Sequence, residues 1–340
     1  MNSTLLFSPY RIKGLASKNR IAMAPMCQYS AKQDGLPQEW HRLHYATRAV
    51  GQVGLMIVEA TAVEPRGRIS DKDLGLWSDA AIEPFAAMLH HIKAQNCKVG
   101  IQIAHAGRKA SIDNEPTVAP SAIRFSDQLP LPVELTPAEI KKIVSAFAAA
   151  VRRAVQAGAD FIEIHAAHGY LINQFLSPLT NHRRDAYGTD RSLFLQEILE
   201  ASAQFIPTEM PVFVRVSAEE YCERGNHPED LCHLLERVRD LIDVVHVSSG
   251  GVVAEAVVEM FPGYQLAFAE TIRKTPNIEV MAVGMLDSPE LAEQALQTGR
   301  ADLIALGREL LRNPYWPLHA ARSLNEDIDW PTAYERAKIK

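Results

Sequence analysis

Eight short runs of apolar, β-favouring residues recur along the chain, and segments with helical patterns lie between most of them. Strand-like runs that alternate with helices predict βα units and a parallel sheet. Most of the runs are apolar throughout, which is typical of strands covered on both faces. Eight such strands favour closure into a (β/α)8 TIM barrel. The predicted strands are residues 20–24, 55–59, 99–103, 161–165, 212–216, 244–247, 280–283 and 303–306.

Start and stop signals support the intervening helices. In Thr136-Pro137-Ala138-Glu139 the threonine is an N-cap, the proline takes the first helical position and the glutamate the third. This pattern predicts a helix that runs to about residue 156 and is closed by Gly158. Other helical patterns cover residues 39–50, 80–94, 192–204 and 228–241, and a further helix begins at Ser288-Pro289-Glu290.

The length of 340 residues fits one domain larger than a minimal barrel. A barrel needs about 250 residues, and the surplus is assigned to an N-terminal extension, a long loop after strand 3 and a C-terminal tail. Residues 111–137, with their clustered prolines, are the predicted long loop. No low-complexity linker interrupts the sequence, so residues 1–340 are interpreted as a single domain. An open, doubly wound sheet is the structural alternative, because one sequence does not give the strand order.

Composition excludes several classes of function. The net charge is −6 and the basic residues are scattered, which argues against nucleic-acid binding. No run approaches the roughly 20 apolar residues of a membrane span, and no leader pattern precedes the first strand, so we expect no membrane partner and a cytoplasmic location. The four cysteines form no CxxC pair, which disfavours zinc-ribbon and iron–sulfur sites.

Barrel enzymes carry their active sites at the carboxyl ends of the strands. The fourth predicted strand ends at His165, and His168 and Tyr170 follow within five residues. These side chains could bind a metal, move protons or hold a polar substrate. A metal is disfavoured, because the spacing is weak and nothing nearby supplies a compelling third ligand, although Glu163 precedes His165 by two residues and could share its face of the strand. The preferred interpretation is substrate recognition by N–H donors, with Tyr170 as proton donor; a structural histidine pair and an apolar lining role for Tyr170 are the alternatives.

Glycines follow the last two predicted strands. Gly284 comes after strand seven, and Gly307-Arg308 follows strand eight at the start of a helical pattern. Barrels commonly bind phosphate at this place, although the glycines could simply turn the chain. No GxGxxG pattern opens a βαβ unit, so a mononucleotide or sugar phosphate is favoured over a dinucleotide.

Two polar side chains lie inside predicted strands and require partners. Arg215 would be costly to bury unpaired, and Gln102 must satisfy both a donor and an acceptor. A heterocycle with imide groups would suit both, whereas a barrel carboxylate is the alternative partner for Arg215. Cys27 ends the first strand and could be a small buried hydrophobe. Tyr29, two residues later, could line the same cavity as Tyr170.

Five motifs span nearly the whole chain: Phe7-Ser8-Pro9, residues 18–26, His105-Ala106-Gly107-Arg108, residues 162–188 and Ala305-Leu306-Gly307-Arg308. Taken together, they resemble the flavin-dependent ene-reductases of the Old Yellow Enzyme family. Cys27 after Pro-Met and the ending Tyr334-Glu335-Arg336 are similar to the subgroup called thermophilic-like.

The resemblance implies non-covalent FMN, with NADPH or NADH as electron donor. It implies that the flavin ring contacts the first two strand ends, that its pyrimidine edge meets an amide and an arginine, and that its phosphate lies at the last two strand ends. The implied positions are Ala24, Pro25, Met26, Cys27 and Ala60 for the ring, Gln102 and Arg215 for the pyrimidine edge, and Gly284, Gly307 and Arg308 for the phosphate.

The same resemblance implies ping-pong reduction of activated alkenes, which are small-molecule partners. His165 and His168 would hold the carbonyl or nitro oxygen, Tyr170 would protonate the α-carbon, Cys27 would tune the flavin, and Tyr29 would line the substrate site. It also implies a homodimer or homotetramer in which Arg336 enters a neighbouring subunit's site; a solvated tail is the alternative.

Two departures from the family pattern and two rival functions stay open. Ala24 stands where some relatives carry serine, and residues 186–191 lack the usual second glycine and asparagine. The first rival is a phosphate-binding aldolase or isomerase on the same barrel. The second is a flavin-binding regulatory protein without turnover.

Overall fold

A computed structural model shows a closed barrel. The structure describes residues 4–113 and 115–338. Eight parallel strands pair in the order β3-β4-β5-β8-β9-β10-β11-β12, and β12 returns to pair with β3. This confirms the TIM barrel and excludes the open sheet. The strands are β1 (Tyr10–Ile12), β2 (Leu15–Ser17), β3 (Ile21–Met23), β4 (Leu55–Ala62), β5 (Lys98–Ala104), β6 (Val118–Ala119), β7 (Val133–Glu134), β8 (Phe161–Ala166), β9 (Val212–Ser217), β10 (Val244–Ser248), β11 (Glu279–Ala282) and β12 (Leu303–Leu306).

Helices cover the outside of the barrel. The Thr136 cap is confirmed, since its side chain accepts from the Glu139 N–H while the Glu139 carboxylate accepts from the Thr136 N–H. The helices are α1 (Glu39–Val50), α2 (Ile82–Lys93), α3 (Pro137–Gln156), α4 (Leu171–Leu176), α5 (Ala186–Thr189), α6 (Leu193–Ala203), α7 (Pro228–Glu236), α8 (Leu266–Lys274), α9 (Pro289–Gln297), α10 (Arg308–Arg312) and α11 (Trp316–Ser323).

Two predicted boundaries are wrong. The helix predicted for residues 228–241 ends at Glu236, and a 3-10 turn follows at Arg239–Leu241. The chain leaves the helix where Val238 and Ile242 turn inward and become buried. The strand predicted for residues 55–59 continues to Ala62, with a shift in its pairing to β5 between Val58 and Thr61. Such irregularities re-aim side chains near active sites.

The N-terminal extension closes the lower end of the barrel. Strands β1 and β2 form an antiparallel hairpin, and its buried Tyr10 and Leu15 pack in a cluster with Phe161 and Phe213. The two phenylalanine rings stack with centroids 4.6 Å apart. This plug leaves the carboxyl ends of the strands as the accessible end of the barrel.

The predicted long loop between residues 111 and 137 carries the short parallel pair β6 and β7. Arg108, 2% exposed, donates to the backbone oxygens of Ile123 and Arg124 and to that of Val252. This arginine therefore ties the loop to the barrel rim. Within the described part of the chain, no helix is long and apolar enough to span a bilayer.

Candidate active site

Strand register brings three basic side chains to one level of the barrel. His165 on β8 and His246 on β10 both pair with Arg215 on β9, the strand between them. Arg215 is 8% exposed, and its Nε has no hydrogen-bond partner among the described residues. Burial lowers the pKa of the guanidinium and nearby Glu163 opposes that shift. The side chain is a buried cation that requires an acceptor.

His165 and His168 are arranged as neutral donors. The Nδ1 atom of His165 accepts the Ala167 N–H at 3.3 Å, which places the ring proton on Nε2. The Nε2 atom of His168 lies 2.8 Å from Ser248 Oγ, and the two rings are 5.3 Å apart. Burial, followed by the charge of Arg215, holds the pKa of each imidazole well below its usual range.

Tyr170 lies beside this pair, with its ring centroid 5.0 Å from that of His165. It precedes α4 as the N-cap residue, so the start of that helix fixes its backbone. Burial raises the pKa of the phenol, and Cys27 and Tyr29 add to the shift. The hydroxyl therefore keeps its proton at neutral pH and can donate it.

A close crossing of two loops supports His168. Its backbone is left-handed, with φ of 59°, and its N–H donates to Ser217 Oγ at 2.8 Å. A Cβ at Gly251 would lie 2.8 Å from the His168 Cα, so only glycine fits there. Lys109 Nζ donates to the backbone oxygens of both residues, at 2.9 Å to His168 and 3.0 Å to Gly251. Sequence analysis did not identify Lys109 or Ser217, because these contacts join segments far apart in sequence.

The ends of β3 and β4 form another side of the site. Glu59 is fully buried; its Oε2 accepts the Gln28 N–H at 2.7 Å and its Oε1 accepts the Tyr45 hydroxyl at 3.0 Å. Burial raises the pKa of this carboxyl to about 8. The bond to Gln28 anchors the segment that carries Cys27.

The other candidates on this side differ in exposure. Cys27 is half-buried, and burial raises the pKa of its thiol, so a thiolate is disfavoured at neutral pH. Tyr29 is 53% exposed, with a left-handed φ of 50°. Ala24 and Pro25 are buried and Met26 is half-buried. Ala60 and Tyr170 line the same small pocket.

A cavity of about 440 Å³ opens beside Arg215. Gly284, Gly307 and Arg308 line it, so the predicted phosphate residues meet there. At Gly284 the φ is 120°, and a Cβ would lie 2.8 Å from Gln265 Nε2. Bare backbone, an exposed arginine and a buried guanidinium suit an anionic ligand with a polar ring, and therefore fit FMN.

Gln102 is 1% exposed and does not stand alone. Its Nε2 donates to Glu163 Oε1 at 2.7 Å, and Glu163 Oε2 lies 2.8 Å from His246 Nδ1. Both carboxylate oxygens are thus engaged by groups other than Arg215. His246 was missed by sequence analysis, although a histidine two residues before Ser248 on an apolar strand was a usable signal.

The C-terminal tail lies away from these residues. Arg336 is exposed in the 3-10 helix Thr332–Ala337 and lines neither site pocket. A larger cavity of about 870 Å³ separates this tail from α11, but the strand-end residues do not line it. Over residues 4–113 and 115–338, no three metal-ligating side chains come together as a metal site.

Comparisons with known proteins agree on one family. Residues 5–327 match the model of the NADH:flavin oxidoreductase / NADH oxidase family. The chain is 50% identical over 338 residues to an NADPH dehydrogenase of Geobacillus sp. (strain WCH70), covering 98% of each protein. It is 49% identical over 336 residues to the NADPH dehydrogenase of Bacillus subtilis (strain 168), covering 97% of this chain and 98% of the relative. Morphinone reductase superposes with a TM-score of 0.82 at 26% identity, covering 97% of this chain and 92% of that structure.

Proposed function

Because this chain belongs to the NADH:flavin oxidoreductase / NADH oxidase family, we propose that it is an ene-reductase that reduces the C=C bond of α,β-unsaturated aldehydes, ketones or related nitro compounds. The protein is an NAD(P)H-dependent flavin oxidoreductase with FMN as its cofactor. The observation that carries the proposal is the grouping of two neutral imidazoles and a protonated phenol at the end of β8, beside Arg215.

The strand-end residues would hold FMN through complementary chemistry. Arg215 would face the pyrimidine edge, where a cation stabilises negative charge, and Gln102 would hydrogen-bond the same edge. Gly284, Gly307 and Arg308 would take the phosphate in the 440 Å³ cavity. Residues 24–27 and Ala60 would contact the ring. Bound FMN supplies hydride transfer from NAD(P)H to the β-carbon of the alkene in a ping-pong cycle.

The residues of the chain orient and polarise the alkene. His165 Nε2–H, and an N–H of His168, would donate to the carbonyl or nitro oxygen, which draws electron density away from the double bond. Tyr170 would donate its hydroxyl proton to the α-carbon. The pKa of each imidazole lies well below its usual range, so both rings are neutral. Each ring then keeps one N–H group that can donate to the oxygen.

The remaining candidate residues have supporting roles in this proposal. Cys27 would tune the flavin as a thiol, because its raised pKa argues against a nucleophilic thiolate. Tyr29, exposed at the rim, would line the substrate site. We further propose a homo-oligomer in which the exposed Arg336 reaches a neighbouring site, and a cytoplasmic location, where the four free cysteines would stay reduced.

Isotope labelling tests the proposal. Turnover of an enone with NADPH deuterated on the transferred hydride should place deuterium on the β-carbon, and turnover in D2O should place it on the α-carbon. A saturated product with both labels at these positions supports the assignment. If no unsaturated aldehyde, ketone or nitroalkene of a test panel is reduced, although NADPH still reduces the bound FMN, the proposal is refuted.

A further inference from the structure

A buried row of side chains lies across the barrel next to Arg215. Glu163 connects Gln102, 2.7 Å away on β5, with His246, 2.8 Å away on β10. Glu163 and His246 are 0% exposed. Strand pairing fixes the row, since Gln102 pairs with Glu163 and His246 pairs with Arg215. Neither Glu163 nor His246 has a role in the proposed alkene reduction.

The carboxylate determines which way the Gln102 amide points. An unrestrained amide can flip and exchange its donor and acceptor ends. Glu163 Oε1 accepts a hydrogen bond from Gln102 Nε2, and this contact disfavours the flipped amide, whose oxygen would face another acceptor. The amide oxygen and the second N–H are then available on the other side. A ligand edge at this position meets one defined pattern of donor and acceptor.

His246 keeps that carboxylate in place. Burial and the charge of Arg215 lower the pKa of the imidazole, so the ring is neutral. Its proton must lie on Nδ1, because the other tautomer would direct a lone pair at Glu163 Oε2. The Nε2 atom has no partner in the described part of the chain, so the histidine makes its one bond to Glu163.

Glu163 also acts on Arg215 through its charge. Of the groups that oppose the lowering of the Arg215 pKa, Glu163 has the largest effect. The two groups form no direct ion pair, because Gln102 and His246 occupy the carboxylate oxygens. The negative charge therefore offsets part of the field of Arg215 and leaves the guanidinium Nε free for a ligand.

We propose that Glu163, held by His246, is a positioning residue that fixes the amide of Gln102 and offsets the charge of Arg215. It would thereby set how strongly the site stabilises negative charge on the bound flavin ring. This inference rests on the proposed placement of FMN against Gln102 and Arg215.

The midpoint potential of bound FMN is the decisive readout, because a purely structural role would not move it. Glu163→Gln keeps the shape of the side chain and removes its charge. The reduced flavin, which is more negative than the oxidised one, should then be favoured at least about tenfold. The midpoint potential should therefore rise by at least about 30 mV for a two-electron reduction. E220Q is the matched control. It replaces another fully buried carboxyl group, bonded to Ser177 and Asn226, which is not among the groups with the largest effect on the Arg215 pKa. Its potential should equal that of the parent.

Variants of His246 test the second half of the proposal. H246L frees Glu163 Oε2 to pair directly with Arg215 and should lower the potential, whereas H246N keeps an N–H donor and should match the parent. The double variant E163Q/H246L should have the potential of E163Q, because His246 acts through Glu163. If E163Q does not fold, the difference between H246L and H246N decides, and equal potentials would overturn the proposal.

R215M separates failure of this inference from failure of the proposed flavin site. If R215M lowers the potential or weakens FMN binding while E163Q behaves as E220Q does, the role of Glu163 is wrong and the flavin site stands. If R215M changes neither FMN affinity nor potential, the flavin placement is wrong and the inference falls with it.

Discussion

Replacing His165 and His168 by alanine should remove the oxygen-binding donors while FMN stays bound. A phenolate is a suitable probe, because its charged oxygen resembles the polarised oxygen of an enone. A hydrogen bond to a charged group contributes about 1.5–3 kcal/mol. Each single variant should therefore weaken phenolate binding about 10- to 150-fold. The double variant should lose about 3–6 kcal/mol, or roughly 10²- to 10⁴-fold.

The assay is titration of the FMN absorbance with a phenol, at a temperature well below unfolding of each variant. FMN content should equal that of the parent, since neither imidazole lines the phosphate cavity. H182A is the control, because His182 is exposed and outside both site pockets. A double variant that binds the phenolate within about twofold of the parent, less than 0.5 kcal/mol, would refute the donor assignment.

Three further outcomes are expected. Y170F should slow reoxidation by an enone by about 10²-fold or more, because it removes a general acid, and should leave reduction by NADPH nearly unchanged in stopped-flow traces; equal slowing of both would contradict the proton-donor role. E59Q should gain stability relative to the parent as the pH rises from 4.5 to about 8, because folding raises the pKa of the Glu59 carboxyl from 4.5 to about 8. If the difference in melting temperature between E59Q and the parent is the same at about pH 5 and about pH 8.5, Glu59 is not a buried neutral acid. G251A should cost about 1–3 kcal/mol in denaturant unfolding, more than G158A, because both glycines have positive φ but only Gly251 crowds His168; equal costs would show that the crowding is relieved.

Local patterns were sufficient for the barrel and for the polar residues of single strands. Each of the eight apolar runs overlaps a barrel strand, and the rule that sites lie at the carboxyl ends of the strands pointed to His165 and Arg215. The Thr136 cap was equally local. The helix was predicted to continue past Glu236 because the helical pattern of the sequence continues there. In the structure it ends at Glu236, and Val238 packs into the core.

Contacts between strands distant in sequence could not be predicted in the same way. The row Gln102–Glu163–His246 depends on the register of β5, β8 and β10, with β9 between the last two. The bonds of Lys109 to two backbone oxygens depend on where three loops meet. Both arrangements are tertiary, so no single segment shows which partners meet, although His246 in its apolar strand was visible as a polar residue that needs a partner.

Anaerobic stopped-flow spectroscopy tests the central claim most directly. NADPH should bleach the bound FMN, and an enone added without oxygen should restore the oxidised absorbance with one saturated product formed per FMN. FMN that NADPH bleaches but that no enone or nitroalkene reoxidises in the absence of oxygen would contradict the assignment of His165, His168 and Tyr170 to alkene reduction.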